Sequence, residues 1–138
     1  MDNFRLAVKA FIVKDGKLLL IRRRWDDVHK PDKWDIPGGR LEPGEDPFEG
    51  LKREVKEEIN MDGLETLMPI EIKHFTRDDG QKITMIIFLC RISPGKIGLS
   101  KEHREYRWVD LHNPDGIIPG FFMPAVEKYL KYGLDKIS

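Results

Sequence analysis

The sequence predicts an α/β fold in which a mixed β-sheet packs between helices. Segments rich in β-forming residues precede, separate and follow two helical segments, an order typical of layered α/β domains. Two Asp-Gly turns, Asp15-Gly16 and Asp79-Gly80, lie between apolar segments and indicate β-hairpins. No internal repeat, low-complexity tract or linker interrupts the 138 residues. We therefore expect a single domain spanning residues 1–138.

The first 40 residues are predicted to be strands and loops. Residues 5–13 and 18–22 are rich in apolar and β-branched side chains and predict two strands joined by the Asp15-Gly16 turn. Residues 23–33 are too charged to be buried and predict a loop. Residues 34–39, Trp-Asp-Ile-Pro-Gly-Gly, predict a short strand that ends in a tight turn.

The segment after this turn predicts a helix. Asp46 is a favourable N-cap, Pro47 suits the first helical position, and Glu49 completes a capping box. Apolar residues then recur at helical spacing and predict the buried face. They are Phe48, Leu51, Val55 and Ile59.

Three further strands and a second helix are predicted after residue 60. Residues 67–76 and 83–92 flank the second Asp-Gly turn, and residues 106–109 form a short strand. Residues 123–132 predict a terminal helix. Its inward-facing side chains are Val126, Tyr129 and Leu130.

The composition excludes several classes of protein. The 24 basic residues balance the 24 acidic ones, which removes the basic excess expected of nucleic-acid or membrane-surface binding. The single cysteine, Cys90, cannot form a disulfide within the chain and lies in an apolar segment, so we expect it to be buried. No apolar stretch approaches the roughly 20 residues of a membrane span, and the N-terminus lacks a signal-peptide pattern. We expect a cytoplasmic protein.

Three carboxylates of the first helix predict a metal site. At about 100° per residue, Glu54, Glu57 and Glu58 share one face, beside the apolar one. Like charges so close repel one another unless a cation lies among them, and carboxylate oxygens are the ligands preferred by Mg²⁺ and Mn²⁺. Gly50 lies on the same side, and we attribute its cost in helix propensity to the close approach of a ligand. The alternative is a solvated face on which Arg53 pairs with Glu57.

The residues that precede, form and follow the first helix favour the metal-site interpretation. The segment from Gly39 to Met61 resembles the signature of the Nudix hydrolases, G-x5-E-x7-R-E-U-x-E-E-x-G-U, where U is a bulky aliphatic residue. The last glycine is replaced by Asn60, and asparagine is the residue that, after glycine, best tolerates the left-handed helix end required there. Eight of the nine specified positions match, namely Gly39, Glu45, Arg53, Glu54, Val55, Glu57, Glu58 and Met61.

The resemblance implies a fold and a set of roles. The fold would be a Nudix-type α/β/α sandwich with a loop–helix–loop Nudix box. Divalent metal, Mg²⁺ or alternatively Mn²⁺, would be held by four residues of the box, Gly39 through its carbonyl oxygen, Glu54, Glu57 and Glu58. Glu45 and Arg53 would hold the loop and the helix together.

Residues outside the box complete the predicted site. Glu102, by its spacing from Trp108, resembles an additional family carboxylate that binds metal or acts as the general base. Glu105 is the competing residue, and Glu54 and Glu57 remain alternative bases. Arg24 and His29 resemble MutT-like residues that hold the nucleotide. Surface charges are an equally good explanation of the last two.

The nucleobase would need a flat apolar surface. The aromatic residues that can supply one are Phe75, Phe88, Phe122 and Trp25. Residues 120–124 are apolar where relatives selective for an oxidised purine carry a polar side chain, which argues against that selectivity.

The predicted function is hydrolysis of a phosphoanhydride bond in a nucleoside diphosphate derivative, chiefly conversion of a (d)NTP to a nucleoside monophosphate and pyrophosphate. Hydrolysis of ADP-ribose or a nucleotide sugar is one alternative, and a non-catalytic nucleotide-binding module is another. Isoprenoid isomerisation on the same fold would require a catalytic cysteine. The partner is a small-molecule nucleotide, with neither nucleic acid nor membrane, and a homodimer stays an open alternative.

Overall fold

The computed structural model describes residues 3–138; Met1 and Asp2, the first two residues of the predicted domain, lie outside the described residues. Within residues 3–138, seven strands and two α-helices follow one another. They are β1 (Phe4–Lys14), β2 (Lys17–Arg23), β3 (Trp34–Asp35), β4 (Gly38–Arg40), α1 (Pro47–Ile59), β5 (Leu64–Thr76), β6 (Lys82–Ile92), β7 (His103–Asp110) and α2 (Met123–Lys131). Short 3₁₀ turns cover Gly120–Phe122 and Leu134–Lys136.

The strands form one mixed sheet in the order β3-β2-β1-β6-β5. Strands β1 and β6 pair in parallel, whereas β5 with β6 and β2 with β7 pair antiparallel. β1 has two antiparallel partners on its other side, β4 along Ala7–Lys9 and β2 at its end. The sheet therefore separates after Lys9, and the residues between β3 and α1 lie at that opening.

Alternation along β1 divides the core into two layers. Val8, Ala10 and Ile12 pack with α1, while Ala7 and Phe11 pack with α2 on the opposite face. The helices thus cover both faces of the sheet, which confirms the predicted α/β/α sandwich.

The apolar stripe of α1 anchors the predicted site to the sheet. Leu51, Val55 and Ile59 are fully buried, and each contributes about 1.5–3 kcal/mol through the burial of its side chain. Phe48, predicted on the same face, is half exposed because it lies at the end of the helix, where its ring packs 5.4 Å from that of Phe88.

The ends of α1 agree with the sequence. The Asp46 carboxylate accepts the N–H groups of Phe48 and Glu49, and Asn60 ends the helix at φ 55°, ψ 40°. The prediction that Glu49 completes a capping box was wrong: its N–H donates to Asp46, but its carboxylate turns away from the Asp46 N–H and pairs with Lys52 at 3.5 Å.

Two predictions about the remaining elements have different outcomes. Leu130 is 41% exposed, so its inward orientation was wrong: α2 packs on the sheet through Ala125, Val126 and Tyr129, and Leu130 lies beyond that stripe. Cys90 is fully buried, as predicted. Within residues 3–138, no helix has both the length and the apolar character needed to cross a membrane.

Candidate active site

The turn at Gly38 and Gly39 is hydrogen-bonded directly to α1. In β4, Gly38 lies opposite Lys9 and Gly39 opposite Val8. Gly38 has φ +138°, and a Cβ at this position would collide with the carbonyl oxygen of Val8, so only glycine fits. The Gly38 N–H donates to Glu58 Oε1 at 2.6 Å. A carboxylate near the end of the helix therefore holds the turn at the opening of the sheet.

Gly39 lies against a second carboxylate of α1. A Cβ on Gly39 would be 2.9 Å from both Cδ and Oε1 of Glu54. The missing side chain leaves room for that carboxylate and brings the Gly39 backbone beside it. Gly39, Glu54 and Glu58, which are separated in sequence, consequently meet at one junction between loop and helix.

Arg53 connects the loop and the carboxylates. Its guanidinium forms a two-point pair with Glu45, through Nε at 2.7 Å and Nη2 at 2.9 Å. Its remaining nitrogen, Nη1, lies 3.2 Å from Glu54 Oε1 and 3.3 Å from Glu57 Oε1. The hydrogen bonds from Arg53 hold the pKa of Glu45 at about 2 and raise that of Arg53 itself. This is the contact that the predicted structural role of Glu45 and Arg53 requires.

The structure explains the glycine at position 50 by contact with the loop, and not by the approach of a ligand, as the sequence analysis expected. A Cβ at Gly50 would collide with Leu41 Cδ2 and lie 3.0 Å from the Glu45 carboxyl group. The folded loop fills this space, so the close approach is made by the loop instead of a ligand. Sequence spacing could not show this, because the loop conformation is set by the Arg53–Glu45 pair.

Burial disfavours the ionised form of two of the three carboxylates. Burial raises the pKa of Glu58 to about 7, although Lys9 and the Gly38 N–H act in the opposite direction. Burial also raises the pKa of Glu54, with repulsion from Glu57 adding to it and Arg53 opposing it. Glu57 is 59% exposed and is the most accessible of the three. A cation at this junction would stabilise the ionised forms.

The donor chemistry fits a hard divalent cation. The candidate ligands are carboxylate oxygens and one backbone carbonyl, the set that Mg²⁺ and Mn²⁺ prefer. Among residues 3–138, however, no three His, Cys, Asp or Glu side chains are grouped closely enough to surround an ion. The carboxylates have protein partners instead: Arg53 contacts Glu54 and Glu57, and the Gly38 N–H donates to Glu58. Arg53 supplies the positive charge in this arrangement.

A buried ion pair beside the site is visible only in the structure. Lys9 Nζ donates to Asp35 Oδ2 at 3.1 Å, to the Ile36 carbonyl at 3.1 Å and to the Gly38 carbonyl at 3.4 Å. The side chains of Lys9 and Asp35 are only 9% and 7% exposed. Glu58 and Lys9 therefore hold the two polar groups of Gly38, its N–H and its carbonyl. A lysine in a strand gives no sequence signal for such a contact, since its partners lie more than 25 residues away.

The loop before β7 lies next to Glu58. The Ser100 N–H donates to the Glu58 carbonyl at 2.9 Å, and the Arg24 N–H donates to the Glu102 carbonyl at 3.1 Å. Glu102 is exposed at this position. Its competitor, Glu105, instead pairs with Arg22 at 3.0 Å. This contact favours Glu102 over Glu105 as the additional carboxylate.

His103, the first residue of β7, is another residue that sequence reasoning missed. Its side chain is 1% exposed, and its Nε2 lies 3.9 Å from Glu58 Oε2. Burial, together with the positive charge of nearby Arg23, lowers the pKa of His103 to about 4. The imidazole is therefore neutral at pH 7 in this structure.

The predicted nucleotide-binding residues lie in the loop that follows β2. The guanidinium of Arg24 donates to Asp26 Oδ1 at 3.1 Å, and the His29 backbone N–H donates to Asp27 Oδ1 at 2.9 Å. Arg24 approaches the site through its backbone contact with Glu102. His29 is exposed.

The candidate base-binding aromatics do not form one surface. Phe88 and Phe122 are buried, Phe75 packs edge-on against half-exposed Phe121, and Trp25 is 67% exposed. A cavity of about 360 Å³ lies beyond the C-terminal end of α1, between Met61, Lys96 and Trp108. The carboxylates of α1 do not line it.

Comparison with known proteins gives consistent matches over most of the chain. The family model described as NUDIX domain matches residues 3–121. Nucleoside triphosphatase NudI of Escherichia coli K12 is 32% identical over 136 residues, covering 92% of this chain and 94% of that protein. The MutT protein of Methanosarcina mazei Go1 superposes with a TM-score of 0.81 at 28% identity, covering 96% of each chain. A C. elegans Ap4A hydrolase superposes with a TM-score of 0.74 at 22% identity, covering 96% and 98%, which shows the shared fold alone.

Proposed function

The chain belongs to the Nudix family, and we propose that it is a divalent-metal-dependent pyrophosphohydrolase that converts a nucleoside triphosphate to the monophosphate and pyrophosphate. One observation carries this proposal: Glu54 and Glu58 of α1 meet the Gly38–Gly39 turn beside exposed Glu57. The similarity to a nucleoside triphosphatase over 92% of the chain supports the substrate class.

The residues divide the work of the reaction among them. Glu54, Glu57, Glu58 and the Gly39 carbonyl would hold Mg²⁺, with Mn²⁺ as the alternative ion. Bound metal would neutralise the phosphate oxygens and lower the pKa of the attacking water. Arg53 holds the carboxylates in place. Arg24 and His29 would contact the phosphates or the nucleoside.

The hydrolysis balances with water as the only co-reactant. The water oxygen forms a bond to one of the two phosphorus atoms of the α–β anhydride, the bond from that phosphorus to the bridging oxygen breaks, and the other phosphate group leaves with the bonding electron pair. Glu102, or alternatively Glu57 or Glu54, would accept the proton of the water. The products are a nucleoside monophosphate and pyrophosphate.

A non-catalytic nucleotide-binding module is less well supported, because the chain keeps all three carboxylates and the Arg53 contacts that organise them. An ADP-ribose or nucleotide-sugar pyrophosphatase uses the same chemistry and differs only in the group beyond the diphosphate. A substrate panel separates these alternatives.

The test compares Glu57→Gln with Glu49→Gln, a matched control on an exposed position of the same helix. With a nucleoside triphosphate and Mg²⁺, we expect Glu57→Gln to lower kcat by about 100-fold or more, the lower end for a positioned catalytic carboxylate. Glu49→Gln should retain the wild-type rate. Equal turnover by Glu57→Gln and wild type would contradict the assignment of the metal site.

A further inference from the structure

His103 has a buried nitrogen without a hydrogen-bond partner. Its Nε2 is shielded from solvent and forms no hydrogen bond to any of the described residues. An unpaired buried donor or acceptor destabilises the folded state. Such an exception needs an explanation, and a role in catalysis or ion binding is one.

The nitrogen faces a carboxylate of the proposed metal site. Nε2 lies 3.9 Å from Glu58 Oε2, beyond hydrogen-bonding distance but within reach of a small rotation of either side chain. The other oxygen of Glu58 accepts from the Gly38 N–H. Oε2 is thus the oxygen of this buried carboxylate that the His103 ring faces.

The neighbouring hydroxyl indicates which nitrogen carries the proton. Ser100 Oγ accepts from the Glu102 N–H at 3.3 Å and lies 3.4 Å from His103 Nδ1. If the hydroxyl accepts once and donates once, it donates to Nδ1, and Nε2 then carries the hydrogen. In this tautomer the imidazole presents an N–H to Glu58.

We propose that His103 is a positioning residue that donates from Nε2 to Glu58 Oε2 and thereby fixes this carboxylate for binding of a divalent cation. Through Ser100, the same imidazole ties the orientation of Glu58 to the loop that carries Glu102. Partners of this kind orient metal ligands, and their loss typically lowers metal affinity by 10–100-fold. This inference rests on the proposed metal-dependent function.

The test measures Mn²⁺ binding to the full chain by isothermal titration calorimetry, without nucleotide. His103→Gln places an amide N–H four bonds from Cα, as Nε2 is, whereas His103→Asn replaces only Nδ1, three bonds from Cα. We expect His103→Leu and His103→Asn to raise the Kd for Mn²⁺ by about 10–100-fold and His103→Gln to stay within about 3-fold of wild type. His112→Gln, a change at an exposed histidine, should leave the Kd unchanged.

Thermal unfolding of each variant separates positioning from folding. Because the structure gives Nε2 no hydrogen-bond partner and the Nδ1–Ser100 contact is long at 3.4 Å, the Tm of His103→Leu measured without added metal should stay near that of wild type. Should the leucine variant fail to fold, the comparison of Gln with Asn carries the test.

Two results would overturn the role of His103: wild-type Mn²⁺ affinity in His103→Leu, or equal loss in His103→Gln and His103→Asn. A failure of the proposed function gives a different pattern, in which wild type itself binds no Mn²⁺ or binds it no more tightly than Glu54→Gln does.

Discussion

Replacing Lys9 by methionine tests whether the buried Lys9–Asp35 ion pair beside the site stabilises the fold. The substitution removes three donated contacts and leaves the Asp35 carboxylate with the Ile36 N–H as its remaining hydrogen bond within the described residues. Because both side chains are more than 90% buried, water cannot replace the lost partner.

The expected cost follows from this burial. Removing one partner of a buried pair typically costs about 3–5 kcal/mol, since it leaves an uncompensated charge. For a chain of 138 residues this corresponds to a fall in Tm of about 10–20 °C. Lys56→Met is the matched control, because Lys56 pairs with Asp62 at the same 3.1 Å but the two side chains are 50% and 84% exposed. That pair should contribute less than about 1 kcal/mol.

Urea unfolding in EDTA measures both changes. Replacing Asp35 by asparagine in the Lys9→Met background removes the stranded charge while keeping an acceptor for the Ile36 N–H, so the double variant should be more stable than Lys9→Met alone. Equal costs for Lys9→Met and Lys56→Met would refute the reasoning.

The contribution of the Lys9–Asp35 pair to the free energy of unfolding depends on pH with a defined sign. Burial works to raise the pKa of Asp35, but Lys9, with Lys30, holds it below the ordinary value of 3.8. The stabilisation is therefore present above pH 3.8 and is lost as the pH falls below that value. Without Lys9, Asp35 takes up its proton at a higher pH than it does in wild type, so the difference in free energy of unfolding between wild type and Lys9→Met should begin to narrow at that higher pH and go on narrowing on further acidification. A difference that widened on acidification would contradict the assignment of the shift to Lys9.

Three further predictions concern single positions. Gly39→Ala should weaken Mn²⁺ binding by about 10-fold or more in calorimetry, because the added Cβ would displace Glu54. Gly120→Ala is the control, since a Cβ there meets no atom within 4 Å, and it should leave the affinity unchanged. Equal Mn²⁺ affinities of the two variants would refute this prediction. Asn60→Ala should lower the free energy of unfolding in urea by about 1–2 kcal/mol, because φ is 55° at this helix end, whereas Asn60→Gly should leave it unchanged. An alanine variant as stable as wild type would refute this. Burial raises the pKa of Cys90 to about 12, so a thiol reagent should label it only after unfolding; rapid labelling of the native protein would contradict this burial.

The local parts of the fold follow from the sequence because their causes are local. Asp46 caps α1 through N–H groups two and three residues away, and Asn60 ends the helix through its own backbone conformation. The Asp15-Gly16 turn joins β1 and β2 with φ angles of 52° and 74°, both of which these two residues accept. In each case a few neighbouring residues determine the geometry.

The site was only partly predictable because its contacts are made across the fold. Spacing placed the carboxylates on one side of α1, but it could not show that Leu41 fills the space beside Gly50. Nor could it pair Lys9 with Asp35, or bring His103 to Glu58, since strand pairing at the opening of the sheet creates these contacts. Leu130 shows the same limit, because helical spacing gives a stripe but not its width.

The most direct test of the account is product analysis with a nucleotide panel in Mg²⁺ and in EDTA. The panel contains ordinary and oxidised (d)NTPs, ADP-ribose, a nucleotide sugar, NADH and a dinucleoside polyphosphate, with products separated by chromatography. The account predicts Mg²⁺-dependent conversion of a nucleoside triphosphate to the monophosphate and pyrophosphate, abolished by EDTA and strongly reduced in Glu57→Gln. Turnover that persists in EDTA, or folded protein that binds a nucleotide and cleaves none of the panel, would contradict it.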